Sequence, residues 1–142
     1  MSIRPYEPPD CDAVMRAWES ATRQSAPFLT EEFIRGEREE VRTKWIPAAD
    51  IWVYEHDGSV VGFIALLGDE VGGFFVQPVQ QGQGVGRALM DHARRLRGRL
   101  ELDVFTENSI GRRFYQRYGF RIVGEHVHEA TGRSQLRLRL GP

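Results

Sequence analysis

The chain has 142 residues, 41% of them hydrophobic and 27% charged, with a formal net charge of -1 at pH 7. This length suits one domain, residues 1–142, and the balanced charge argues against a nucleic-acid partner held by bulk positive charge. The single cysteine excludes an internal disulfide and a multi-cysteine zinc site, and it fits a reducing compartment. No signal peptide and no apolar run of the ~20 residues that span a bilayer is visible, so we expect a cytoplasmic protein without a membrane partner.

The N-terminal part predicts an edge strand, residues 2–7, and a first helix that Pro27 ends. Asp10 or Asp12 can cap this helix. Its apolar face consists of Val14, Ala17, Trp18 and Ala21.

A second helix begins after Thr30, a favoured N-cap. A thin apolar stripe follows, made of Ile34, Val41 and Trp45. The helix is also rich in glutamate, at positions 31, 32, 37, 39 and 40. These carboxylates either attract a cationic amine or form an ordinary solvated face.

Residues 50–67 predict a β-hairpin around Asp57 and Gly58, the preferred pair for a two-residue turn. The return strand is almost continuously apolar, as expected for a strand covered on both faces. The next strand contains Phe74, Phe75 and Val76, and Pro78 ends it. A helix then starts at Val85, because apolar residues recur at helical spacing up to residue 96.

Three alternate glycines, Gly82, Gly84 and Gly86, join that strand to the helix. Such a loop lets the backbone approach a ligand closely and leaves free N–H groups at a helix start, which suits a pyrophosphate. Arg87 in the first helical turn opposes the helix dipole unless an anion lies between; the alternative is a solvated arginine at small cost. The spacing matches neither the dinucleotide fingerprint nor the nucleotide-triphosphate P-loop.

The last third of the chain predicts a strand, a short helix and a hairpin. Leu100, Leu102 and Val104 alternate with polar residues in a strand parallel to the preceding one. In the helix, we expect Ile110, Phe114 and Tyr118 to face the core. In the hairpin, which turns at residues 130–132, we expect the leucines to face inward and Gln135, Arg137 and Arg139 to face outward.

The histidines and a basic helix end offer weaker candidates. His126 and His128 project to one side of a strand; a metal would need a third ligand, and none is evident, whereas a role in an acceptor pocket is compatible with them. We expect His56 and His92 to be ordinary surface residues. The arginines at 94, 95, 97 and 99 either reach a phosphate or form a solvated helix end.

Two strings in the sequence carry a resemblance to a known family. After a strand that ends Val76-x-Pro78, the chain reads Gln81-x-x-Gly84-x-Gly86. Further on it reads Asn108-x6-Tyr115-x2-Tyr118-Gly119-Phe120. The two strings resemble the signatures of the GNAT superfamily, the acyl-CoA-dependent N-acetyltransferases. The segment at residues 27–29 also resembles the small bacterial YjaB-type members.

The resemblance implies an α/β (α+β) fold. Its mixed, mostly antiparallel sheet has six to seven strands, is flanked by about four helices, and contains one parallel strand pair that splays apart. It also implies acetyl-CoA as co-substrate and no metal. The residues implied to bind the coenzyme are Phe74, Phe75, Val76, Gln81, Gly82, Gln83, Gly84, Val85, Gly86, Arg87 and Asn108. Asn108 is equally a favoured helix cap.

The resemblance further implies that Tyr115 is the general acid for the departing thiolate, a role that suits a phenol of pKa ~10. The alternative is that Tyr115 only packs beside Phe114. Asp103, on the polar face of its strand, is a candidate base acting through water, or a half-exposed aspartate with no further role. The backbone N–H of Val76 is a candidate donor to the developing oxyanion.

We therefore expect an acetyl-CoA-dependent N-acetyltransferase that acts by direct attack of a primary amine, because neither motif contains a cysteine for a covalent relay. The alternative is a coenzyme A-binding sensor or regulatory module without turnover. An amine-bearing small molecule or peptide is the expected partner, and its identity stays open. We expect Trp18, Phe28, Trp45 and His126 to line the acceptor pocket. Small relatives often form dimers, so the resemblance is compatible with a homodimer.

Overall fold

The computed structural model describes residues 2–142 and contains one mixed seven-stranded sheet. The strands are β1 (Ser2–Pro5), β2 (Asp50–His56), β3 (Ser59–Leu67), β4 (Glu70–Val76), β5 (Leu100–Phe105), β6 (Arg121–His128) and β7 (Arg133–Leu140). Within this part of the chain, four helices have ten residues or more: α1 (Cys11–Ser25), α2 (Glu31–Glu40), α3 (Val85–Leu96) and α4 (Ser109–Tyr118). The strand order is β1-β2-β3-β4-β5-β7-β6, and only the β4–β5 pair is parallel. The predicted fold is confirmed.

Both predicted hairpins form. Asp57 and Gly58 have φ of 51° and 78°, which is the left-handed backbone that a two-residue turn between β2 and β3 needs. Gly132, with φ of 71°, lies in the turn between β6 and β7. Antiparallel pairing of β7 with β5 then places the last hairpin beside the parallel pair.

The sheet buries an apolar core on each face. On one face, α3 and α4 cover β3, β4, β5 and β7, with Leu89, Met90 and Leu100 fully buried. On the other, α1 and α2 cover β2 and β3, with Val14, Ala17 and Val53 fully buried. The predicted apolar face of α1 is confirmed, because its four residues are all buried.

The predicted aspartate cap of α1 is wrong, whereas the Thr30 cap of α2 is confirmed. Asp10 occupies the cap position, but its carboxylate accepts bonds from Arg4 at 2.8 and 2.9 Å and from the Glu7 N–H at 2.8 Å. The Arg4 guanidinium holds the pKa of Asp10 below its usual value and ties β1 to the helix. Asp12 is exposed. Thr30 Oγ1 accepts the Phe33 N–H at 3.0 Å.

The second helix is less regular than predicted. After Glu40 it continues as a π-helix, Val41–Trp45, and closes with one α-helical turn, Ile46–Ala48. Of the predicted stripe, Ile34 is buried, but Trp45 is 43% exposed. A π-helix re-aims side chains within a helix and is frequent at functional sites.

The parallel strands separate soon after they meet. Glu70 pairs with Glu101, and no further β4–β5 residue pair forms in the described chain. The register between β3 and β4 shifts at Gly72, where β4 carries an extra residue. Such a bulge bends and twists the strand that carries it, so β4 turns away from β5 and leaves a gap in the sheet.

Two predicted side-chain environments are wrong. Ile110 is 40% exposed because it lies in the first turn of α4, beside the gap, and Tyr115 is the buried residue of that helix. His92 is not an ordinary surface residue: its ring packs on Trp52 with the centroids 4.3 Å apart, and its Nε2 is enclosed without a partner. Burial lowers the pKa of His92.

Candidate active site

A cavity of about 1000 Å³ passes through the gap between β4 and β5. One end lies against the glycine loop, α3 and α4, and the other against α1, α2 and the last hairpin. Its wall therefore contains residues from both halves of the chain. We call the end of the cavity beside the glycine loop the loop end, and the end beside α1, α2 and the last hairpin the helix end.

The loop end is built around Gly82 and Gly84. Their φ angles are 80° and 86°, and a Cβ on either would meet no atom within 4 Å. The loop therefore has left-handed backbone and faces open space. Within the described chain, no backbone hydrogen bond uses an amide of residues 82–87, as expected at a helix start. Free N–H donors next to the positive end of a helix dipole are the features that suit an anion.

Gly86 serves a different purpose from the other two glycines. It lies inside α3, where a Cβ would come 3.2 Å from Phe74 Cζ and 3.3 Å from Phe114 Cε2. A glycine here lets α3 pack closely on β4 and α4.

Three arginines surround the loop end: Arg87, Arg113 and Arg117. Among residues 2–142 none of them forms an ion pair, and Arg87 lies 5.7 Å from the centre of the Tyr118 ring. The arginines considered at the end of α3 lie outside this cavity; Arg97 bonds to Gly68 O at 2.9 Å, and Arg99 pairs with Glu101. Arg113 and Arg117 were not among the predicted site residues. Their i, i+4 spacing on the helix of the second motif, which puts them on one face, was the signal that could have identified them.

The other predicted coenzyme residues divide into two groups. The first group lies on the cavity wall with the three glycines and Arg87; it consists of Phe74, Phe75, Val76, Gln81 and Asn108. Gln81 Nε2 donates to Val76 O at 3.1 Å and to Gln24 Oε1 at 2.9 Å. The side chains of Gln83 and Val85 do not line the cavity: Gln83 is exposed and Val85 is buried in the core.

The backbone N–H of Val76 points into the gap. Gln77 donates its N–H to Val61 O at 2.8 Å, so that N–H points toward β3. Successive N–H groups along a strand point to opposite edges. Val76 therefore directs its N–H toward β5, where no backbone partner pairs with this part of β4.

Tyr115 lies on the cavity wall and is 9% exposed. Its ring packs against Phe74, Phe114 and Phe120, with centroids 5.4 to 6.1 Å apart. Burial raises the pKa of Tyr115, so the phenol is protonated at neutral pH. Asn108, seven residues before Tyr115 in the same motif, caps α4 by accepting the Gly111 N–H at 2.8 Å. It also lines the cavity.

Asp103 also faces the cavity and takes part in a charged cluster at the strand gap. Its Oδ1 lies 3.4 Å from Arg137 Nη1 and 3.6 Å from His126 Nε2. Arg137 further pairs with Glu70 on β4 and Glu101 on β5. Arg137 was expected to face solvent; it instead bridges the two parallel strands where their backbone pairing ends.

The helix end has a different lining from the one expected. Trp18 and Trp45 line it as predicted, but Phe28 and His126 do not. Gln135, predicted to face outward, does line it, as do Phe33, Glu37 and His128. His128 Nδ1 lies 2.9 Å from Thr131 Oγ1, and its ring meets Phe33 and Phe105 edge to face at 6.2 and 5.3 Å.

Within residues 2–142, no group of three or more His, Cys, Asp or Glu side chains could hold a metal ion. None of the helices described for these residues is long and apolar enough to cross a membrane.

Residues 47–122, which contain the glycine loop, the gap and Tyr115, match the family described as Acetyltransferase (GNAT) domain. The chain belongs to the GNAT acetyltransferase family. The match covers more than half of the 142 residues and both sequence motifs. It establishes an acetyltransferase rather than only a GNAT-like fold.

Individual GNAT proteins resemble the whole chain. The Escherichia coli K12 protein named peptidyl-lysine N-acetyltransferase YiaC is 31% identical over 122 residues, which cover 85% of this chain and 84% of that protein. The solution structure of apo-form YjaB from Escherichia coli has a TM-score of 0.88 and 28% identity, covering 99% and 98% of the two chains. The expected likeness to YjaB-type members is thus confirmed.

A second solved structure shares the fold. It is the PaiA N-acetyltransferase from Thermoplasma acidophilum in complex with coenzyme A, with a TM-score of 0.79, 17% identity and full coverage of both chains.

Proposed function

We propose that this GNAT protein, as a single N-acetyltransferase domain, transfers the acetyl group of acetyl-CoA directly to the primary amine of a peptidyl-lysine side chain. The observation that carries the proposal is the continuous cavity through the strand gap. It connects an anion-binding backbone loop at one end with Tyr115 and Asp103 at the gap. A donor and an acceptor can therefore approach each other from opposite faces of the sheet.

The loop end fits the coenzyme. The open space over Gly82 and Gly84 leaves room for a diphosphate, and the unpaired amides of residues 82–87 supply neutral donors. Arg87, Arg113 and Arg117 add positive charge at the same end. The coenzyme A complex of the PaiA neighbour supports this assignment, because the two chains share their fold.

At the gap, bound acetyl-CoA would supply a thioester as the acyl donor. In the proposed reaction the Val76 N–H, which has no backbone partner among residues 2–142, donates to the carbonyl oxygen as negative charge develops there. A donor fixed by the strand needs no reorganisation during attack, which is the physical advantage of a backbone group.

Three proton transfers complete the reaction, and a fourth restores the enzyme. A lysine amine has a pKa of ~10.4 and must lose a proton before attack; Asp103 accepts it through water. The thiol that leaves has a pKa of ~8.5, and Tyr115 donates its phenolic proton to the sulfur as the carbon–sulfur bond breaks. Because burial raises the pKa of Tyr115, the phenol holds its proton until then. The attacking nitrogen then loses its second proton through water as the amide forms, and the Tyr115 phenolate takes up a proton from water, which restores the phenol.

The choice of acceptor is supported by the relatives. YiaC, 31% identical to this chain, is named a peptidyl-lysine N-acetyltransferase. A lysine side chain reaches the gap on a narrow aliphatic stem, which suits the apolar and aromatic wall of the helix end.

The experiment is to follow release of free thiol from acetyl-CoA with a panel of amines. The panel contains a lysine peptide with a blocked N terminus, a peptide with a free N terminus and no lysine, and a polyamine. We expect the lysine peptide to give the highest kcat/KM. Tight coenzyme A binding with no turnover of any amine would contradict the proposal and indicate a binding module instead.

A further inference from the structure

We propose that Glu37 is the residue that binds the cationic amine of the acceptor, in a site formed with Phe33 and His128 at the helix end of the cavity. This inference rests on the proposed function, because it concerns the acceptor of that reaction. It assigns the site to an ammonium group on a short alkyl stem.

The first argument is the position of the carboxylate. Phe33, Glu37, Val41 and Trp45 follow one another at intervals of four residues and all line the cavity. They form one face of the second helix, continued by its π-helical turn. Glu37 is the only charged residue of these four, and it stands one turn from the Phe33 ring.

The second argument is that Glu37 has no partner of its own. Within residues 2–142 its carboxylate makes no hydrogen bond or ion pair, although it is partly buried. Neighbouring carboxylates differ: Glu19 pairs with Arg23 and Arg38, and Glu31 pairs with Arg23. A partly buried anion on a cavity wall without a counter-ion is suited to a cationic ligand.

The electrostatic surroundings agree with this reading. Burial raises the pKa of Glu37, and the negative charge of Glu40 on the same helix raises it further. His128 on β6 lowers the same pKa. A bound ammonium ion would lower that pKa again by direct attraction. Cation binding should therefore weaken at acidic pH, where Glu37 becomes protonated.

The rings beside Glu37 complete the site. His128 is held by Thr131 and lies edge to face with Phe33 and Phe105. These side chains form an aromatic wall on which a butyl stem can pack, and Glu37 lies at its edge. A free α-amine at a peptide N terminus has no such stem, which makes lysine the better fit.

The test uses n-butylammonium, which reproduces the lysine stem, and 1-butanol as its neutral counterpart. Binding is followed by NMR chemical-shift titration of the whole protein. In Glu37→Gln, we expect the Kd of n-butylammonium to rise about 10- to 100-fold, the range of a charge-assisted hydrogen bond, and that of 1-butanol to stay within about twofold. Glu39→Gln is the matched control, because Glu39 is exposed on the same helix and does not line the cavity.

Unchanged n-butylammonium affinity in Glu37→Gln, or an equal loss in Glu39→Gln, would overturn the inference. A second measurement separates it from the proposed function. If Glu37→Gln acetylates the lysine peptide with an unchanged KM, the inference fails and the proposed function stands. If the wild type binds n-butylammonium through Glu37 but acetylates no amine, the proposed function fails and the site stands.

Discussion

The two ends of the cavity are built by different parts of the polypeptide. At the loop end, the backbone supplies the binding groups: the amides of residues 82–87 are unpaired and two glycines have left-handed φ. At the helix end, side chains supply them: Phe33 and Glu37 come from the second helix and His128 from β6. The backbone donors of the loop end come from six consecutive residues, whereas the helix end joins side chains about ninety positions apart.

This difference explains which ligand each end suits. A backbone loop recognises a feature common to many molecules, a phosphate group, through N–H donors that every residue type except proline carries. A site made from side chains changes its preference whenever one of them changes. We infer that the loop end fixes the donor and that the helix end decides the acceptor.

The largest expected effect is at the junction of the two ends. Replacing Tyr115 by Phe removes the proton donor but keeps the aromatic packing with Phe74 and Phe120. We expect kcat to fall by ~10²–10⁴-fold, while the Kd for acetyl-CoA changes by less than about twofold. Tyr54→Phe is the control, since Tyr54 is buried in the core and does not line the cavity. Equal kcat values in the two variants would show that Tyr115 only packs.

The loop end could be recognised in the sequence because its function depends on glycine spacing next to a strand and a helix. The glycines and Arg87 were predicted from the loop itself, and Asn108 and Tyr115 from the resemblance of the second motif; all of them line the cavity. The hairpin of β2 and β3 could equally be predicted from the sequence, because Asp57 and Gly58 specify its turn locally.

The helix end could be predicted only in part: Trp18 and Trp45 line it as expected, but Glu37 was not singled out. Glu37 is one of several glutamates in its helix, and only the tertiary structure shows that this one faces the cavity while Glu31 pairs with Arg23. The π-helix that carries Val41 and Trp45 changes the helical period, so the stripe could not be extrapolated. Arg137 was expected outside because a strand pattern does not reveal a gap in the sheet.

A smaller effect should sharpen the account of the loop end. In the double variant Arg113→Gln and Arg117→Gln, we expect the Kd of coenzyme A to rise about tenfold, because two cations at the anion site are lost. The loss should shrink as salt is added, since both side chains are exposed. Arg95→Gln, an exposed arginine outside the cavity, is the control. An affinity loss that is equal in the control would remove these residues from the site.

Stability at low pH tests the charged cluster at the strand gap. The hydrogen bond from Arg99, with the attraction of Arg139, lowers the pKa of Glu101 from 4.5 to about 2. Because this pKa is lower in the folded protein than in the unfolded chain, the associated stability is present above about pH 4.5 and is lost as the pH falls toward 2.

We therefore expect Tm to fall less steeply between roughly pH 5 and pH 2 in Arg99→Gln than in the wild type. Thermal unfolding followed by circular dichroism measures this slope. Arg121→Gln serves as control, because Arg121 is exposed and bonds to Gly141 O rather than to a carboxylate. Identical slopes in all three proteins would contradict the assignment.

The smallest effect concerns the contact between the loop and the first helix. Gln24 accepts a hydrogen bond from Gln81 at 2.9 Å, and Gln24 is exposed. We expect Gln24→Ala to raise the KM for acetyl-CoA by about two- to fivefold, within the range of one net hydrogen bond, and to leave kcat unchanged. Steady-state kinetics beside Gln116→Ala, an exposed glutamine away from the cavity, would detect it. A fall in kcat alone would mean that this contact acts at the gap instead.

The most direct test of the account is the affinity of coenzyme A for Gly84→Val, measured by calorimetry beside Gly58→Val. Both glycines have left-handed φ, 86° and 78°, and open space at the Cβ position, so the backbone strain is matched. Only Gly84 belongs to the proposed diphosphate loop. We predict a Kd at least ~10-fold higher in Gly84→Val, since strain and steric blocking act together, and a wild-type Kd in Gly58→Val. Wild-type affinity in Gly84→Val would contradict the central claim that this backbone binds the donor.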